Sequence, residues 1–228
     1  MRTGLILALA GMALGAGAGH LAAADPPNIV WLVGDDVGPL EIGCYGHPTI
    51  KTPAIDRLAR QGVRYTRAFV TTSSCSPSRA SFLTGKYPHA TGAENLHDSL
   101  PAEQLILPEM LRRKGYYSGV VGKFHLGPAT RPKFDRVLGA VDDWRRFLEE
   151  RPKERPFFLL VGFHDAHRPF DRGCVEPPTR TDAVVVPPYL PDVDEARQEL
   201  AGFYDEIRRM DAVIGDVTAW LEAAGLTN

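Results

Sequence analysis

Cysteine is scarce: the 228 residues include only Cys44, Cys75 and Cys174. An odd set cannot pair completely, so at least one stays free or is chemically altered. Charge of one sign is lacking too. Twenty-six basic residues stand against 28 acidic ones, a net of −2. Nothing in such a balance points to nucleic acid or to an anionic membrane surface. No repeat and no low-complexity tract follows the first two dozen residues. The one long apolar run, "GLILALAGMALGAGAG", sits at the N-terminus behind Arg2 and leads into the small residues of "LAAAD". Its Gly and Ala content and His20 argue for an export signal over 1–24, cut after Ala24, rather than a membrane anchor. The remainder, 25–228, is then expected to be exported: periplasmic or secreted, lysosomal in a eukaryote, with no stable membrane insertion.

What is present is an ordinary apolar fraction, 44%, sufficient for the core of one domain of normal size. Short apolar runs ending in glycine or polar clusters predict strands, fully buried at 28–34 and 156–163, with others at 63–70 and 116–122. "TPAIDRLARQG" (52–62) has a Thr cap, Pro at the first helical position and a closing Gly, and predicts a helix. Helices are also expected over 78–85, 107–115 and 141–150. The Pro-rich stretch 168–192 predicts an ordered surface loop. From Ala196 to Ala224 apolar residues recur at alternating steps of four and three, one face of a long helix. Strands alternating with helices imply an α/β fold, a layered α/β/α sandwich on a mostly parallel sheet, with its chemistry at the carboxyl ends of the strands.

Polar clusters fall at those ends. Asp35 and Asp36 follow the first strand. Adjacent carboxylates repel unless a cation or solvent relieves them, so they form either an oxygen-donor site for Ca²⁺ or Mg²⁺ or a solvated turn. Cys75 opens a helix with Arg79 four residues on. That setting suits a stabilised thiolate, a modified residue or an inert free thiol. Lys123 and His125 are two apart at a strand end and so point to the same side, an arrangement suited to an anion with a leaving atom to protonate. His164 and His167 follow the last strand and are candidates for metal, acid or loop-binding roles.

"CSPSRASFLTG", together with "NIVWLVGDD", "TPAIDRLARQG", "GKFHLG" and "FHDAHRPF" in the right order along the chain, resembles the type I sulfatases of the alkaline phosphatase superfamily. "RPFFLLVGFHDAHR", "VPPYLPD" and "RMD" look closest to the heparan N-sulfatase (sulfamidase) branch, although Ala166 stands where the family usually has Pro. The resemblance implies hydrolysis of sulfate esters or sulfamates on sulfated sugars or glycosaminoglycans. It implies that a formylglycine-generating enzyme converts Cys75 to formylglycine, whose hydrate attacks sulfur. Asp35, Asp36 and Cys75 would hold Ca²⁺, with Mg²⁺ the less suitable ion. Arg79 and Lys123 would neutralise the diol and the sulfate. His125 would act near the diol and His167 near the leaving atom, with His97 and the Arg168 region shaping the sugar pocket. The family pattern also has, after the long helix, a strand bearing Asp followed by Asn or His that completes the metal site, and then a smaller domain. Neither is found in 25–228, which is expected to be an incomplete N-terminal catalytic domain with apolar surface left uncovered. The alternatives are an inactive fragment that binds sulfated glycans through Arg79, Lys123 and His167, and a related phosphodiesterase or phosphonate hydrolase.

Overall fold

The computed structural model describes residues 26–227, so the expected export signal over 1–24 lies outside the described residues. Four strands, β1 (Ile29–Val33), β2 (Tyr117–Gly122), β3 (Arg136–Leu138) and β4 (Phe157–Gly162), form one sheet in the order β1-β4-β2-β3. Every pairing is parallel. Parallel strands need helical crossovers, and these cover both faces. Ile29, Trp31, Val120, Phe158 and Leu160 pack with α2 (Cys75–Thr84) and α3 (Leu107–Arg112) on one side. On the other, Val30, Leu32, Val121, Leu159 and Val161 meet α1 (Pro53–Gln61), α4 (Asp143–Glu150) and α5 (Asp194–Ala223). The three-layer expectation therefore stands. Among the described residues no helix is long and apolar enough to cross a membrane.

β4 is buried at all six positions because it has a strand on each side. β1, expected to be fully buried, is only half-buried. It is an edge strand, and its run of apolar residues reflects its two faces, not its flank. The segment 63–70 corrects the prediction outright. It forms no strand, and Val63, Tyr65, Phe69 and Val70 are exposed. Its β-branched and aromatic residues suit a pleated ladder, but no strand among the described residues pairs with it. A cavity of about 420 Å³ lies between Leu32 and Gly34 at the β1 edge and Tyr65 to Ala68, floored by Met210 and Ile214.

Two local readings also change. Thr52 occupies the N-cap position of α1, as predicted, but its hydroxyl caps no N–H of the helix: it donates to Asp56 and accepts from the Gly43 N–H. The side-chain acceptor comes instead from α5, where the buried Asp211 carboxylate takes the Ala54 and Ile55 N–H groups at 3.1 and 2.9 Å. The Pro-rich stretch is an ordered loop, as predicted. Buried Asp205 accepts from the N–H groups of Gly173 and Thr179, and buried Glu206 accepts from that of Asp171.

Candidate active site

The carboxyl ends of β1 and β4 are tied together. The Asp35 N–H donates to the Asp165 carbonyl at 2.9 Å, and the Ala166 N–H to the Asp35 carbonyl at 2.8 Å. Arg209 of α5 grips both Asp165 carboxylate oxygens at 2.9 Å. Asp35 is thus held rigidly, and only 4% of it is exposed. Its carboxylate meets two cations, Arg79 Nη2 at 3.4 Å and the Lys123 ammonium. Arg79, 2% exposed, also donates through Nη1 to the Lys123 carbonyl at 2.9 Å. Burial draws the Arg79 guanidinium down from its ordinary range and Asp35 opposes the shift. One carboxylate against two cations leaves a formal surplus of one positive charge, so the cluster favours an anion.

Two glycines make this approach possible. A Cβ on Gly162 would lie 2.1 Å from the Lys123 carbonyl oxygen and 3.1 Å from Arg79 Nη1. Gly122, at φ +71°, would meet the Gly162 carbonyl oxygen at 2.2 Å. Cys75 is half-buried at the first turn of α2 and lines a cavity of about 330 Å³ with Asp35, Asp36, Ser73, Ser78 and Arg79. The helix N-terminus adds positive potential there. Cys44 and Cys174 are also free.

Three residues other than glycine have positive φ among the described residues: Asp36 (+55°), His97 (+71°) and His125 (+55°). All three belong to this region, as strained backbone often does at functional sites. Asp36 is exposed and lies 3.8 Å from His167 Nε2. His167 Nδ1 faces its neighbour's carbonyl, that of Arg168, at 2.6 Å, which leaves Nε2 free to exchange a proton. His125 Nε2 lies 2.9 Å from His97 Nδ1, while His125 Nδ1 is buried with no partner. Burial, followed by Lys123 and His97, pulls His125 below its ordinary range.

The predicted residues therefore fall into three contacts: Asp35 with Arg79 and Lys123, Asp36 with His167, and His125 with His97. The His97 N–H also donates to the Ser76 hydroxyl at 2.7 Å, linking it to the residue after Cys75. Arg168 turns away to Glu199 at 2.8 Å. Of the expected metal set, Asp35, Asp36 and Cys75 border one cavity. Among the described residues no three His, Cys, Asp or Glu side chains are gathered to hold an ion. Asp35 spends its carboxylate on two cations, and three donors fall short of the six to eight or so that Ca²⁺ takes. Asp35, Asp36 and Cys75 as placed do not fit Ca²⁺.

The sulfatase family model matches residues 27–142. Human N-sulphoglucosamine sulphohydrolase is 34% identical over 91% of this chain and 49% of its own length. Human arylsulfatase A is 38% identical over 80% of this chain and 38% of its own. The chain thus spans about half the length, or less, of these curated relatives. A solved structure from a Bacteroides thetaiotaomicron glycosaminoglycan-metabolism locus superposes at TM-score 0.75 with 18% identity, over 88% of this chain and 58% of that one. That likeness concerns the fold.

Proposed function

The chain belongs to the sulfatase family, and from that membership we propose that it carries the nucleophile and fixed cations of a hydrolase acting on sulfate esters or sulfamates of sugars. The observation that supports this most is the shared cavity: Cys75 opens onto the same space as the buried Asp35 and Arg79. Once converted to formylglycine, residue 75 would supply a hydrated aldehyde as the attacking group.

The other residues act on charge and protons. Arg79 and Lys123, pinned by Asp35, neutralise the sulfuryl oxygens without having to reorganise. His167 presents Nε2 beside Asp36, a placement that suits it to protonate the departing oxygen or nitrogen. His125, kept neutral by its surroundings, suits acceptance of a proton near residue 75. The domain 25–228 is read as the nucleophile-bearing part of such an enzyme, exported and matured by a formylglycine-generating enzyme. Similarity to N-sulphoglucosamine sulphohydrolase over 91% of the chain supports an N-sulfated sugar as substrate.

The test is co-expression with a formylglycine-generating enzyme, followed by peptide mass measurement across Cys75. Thiol-to-aldehyde conversion is the expected result. In a protein of the relatives' full length carrying these residues, sulfate release from glucosamine N-sulfate or an aryl sulfate should fall at least ~10³-fold in Cys75→Ala. No release from any sulfate ester or sulfamate overturns the proposal. This chain alone should take up Ca²⁺ no more tightly than about millimolar, as read by calorimetry, because its carboxylates are few and one is already paired.

A further inference from the structure

At the carboxyl ends of β2, β3 and β4 a separate cavity of about 590 Å³ opens, within the size range of small-molecule sites. Lys123, His125, Arg131 and His164 line it, and no carboxylate does. Lys123 joins the two regions, since it borders this cavity while its ammonium reaches Asp35. Arg131 sits in the 3₁₀ segment Pro128–Lys133 with its guanidinium carbon 5.8 Å from the Phe124 ring centroid. The neighbouring cations are committed elsewhere, Lys133 to Glu109 at 2.8 Å and Arg136 to Glu150 at 2.6 Å. Arg131, among the described residues, has no carboxylate or carbonyl partner, and His164 makes no side-chain hydrogen bond. An arginine backed by an aromatic face keeps its N–H edge free for a planar oxyanion.

We propose that this cavity is a second anion subsite, in which Arg131, assisted by His164, seats a ring sulfate or a uronate carboxylate of the glycan whose scissile sulfuryl group meets Arg79 and Lys123. The spanning ligand rests on the proposed function above; the oxyanion contact at Arg131 does not. Binding to this chain is measured by calorimetry with four probes: inorganic sulfate, glucosamine N-sulfate, glucosamine 2-N,6-O-disulfate, and an N-sulfoglucosamine–uronic acid disaccharide.

Arg131→Gln should weaken the disulfate, the uronate disaccharide or both by about tenfold, the size of one charge-assisted contact. It should leave inorganic sulfate and the monosulfate unchanged. Arg131→Lys should restore part of the loss, and whichever of the disulfate and the disaccharide responds identifies the oxyanion. Because Arg131 is exposed, neither change should disturb folding. If the disulfate and the disaccharide both bind Arg131→Gln and the parent chain equally, the subsite is overturned. If Lys123→Ala leaves inorganic sulfate and monosulfate binding intact while Arg131→Gln still weakens the disulfate or the disaccharide, the catalytic reading fails and the subsite stands.

Discussion

Gly162 is where three parts of the site meet, because only a hydrogen separates it from the Lys123 carbonyl and the Arg79 guanidinium. Gly162→Ala is expected to force those groups apart and to destabilise the fold by about 1–3 kcal/mol, as overpacking does; calorimetry would show it as a lowered unfolding midpoint. His47 makes a different prediction. Its Nδ1 accepts the Ile50 N–H at 2.8 Å, and Nε2 faces the Tyr204 hydroxyl at 3.1 Å. Burial moves its titration below the ordinary range. The unfolded chain therefore takes up the proton first, near pH 6.5. Stability from neutral His47 is complete above about pH 6.5 and is lost as pH falls through that value. The unfolding midpoint of His47→Gln should accordingly fall less steeply from about pH 7 to pH 5 than that of the parent. Asp35, Arg79 and Lys123 could be singled out in the sequence because charged residues clustered at predicted strand ends. Their mutual pairing could not, since two cations on one carboxylate is a matter of side-chain reach. The His97–His125 contact is hidden for the same reason: 28 positions separate the rings, and both depend on positive φ.

Helix α5 does two jobs along its 30 residues. Its C-terminal half packs Met210, Ile214, Val217 and Leu221 on the sheet, the face that the four–three spacing predicts. Its polar residues Asp205, Glu206 and Asp211 are buried as well, and the apolar stripe gives no sign of that. Asp211 caps α1 from 156 and 157 positions away, while Thr52, the local candidate, bonds elsewhere. Asp211→Ala is expected to leave two helix N–H groups without a partner and to destabilise by about 1–3 kcal/mol, lowering the thermal midpoint by several degrees. An equal midpoint in the variant would mean that water caps α1 just as well. Asp205→Asn keeps the packing but halves the acceptor for the loop, so proteolysis between 171 and 180 should quicken before the core melts.

For the molecule as a whole, the layered architecture was legible because strand-helix alternation and parallel pairing follow from hydrophobic period and connection length. The status of 63–70 was not, because strand propensity becomes a strand only where a neighbour supplies hydrogen bonds. Val63, Tyr65, Phe69 and Val70 lie exposed near the unpaired side of β1, a combination that promotes edge-to-edge association. Sedimentation should find concentration-dependent self-association of this chain, reduced in the double variant Val63→Lys, Phe69→Lys; identical profiles would place the sticky surface elsewhere. The same open flank bears on chemistry. Any backbone that zips onto Ile29–Val33 ends its ladder two residues short of the carboxylate that pins both cations, so the stiffness of the charge centre is governed partly by whatever docks outside the four strands.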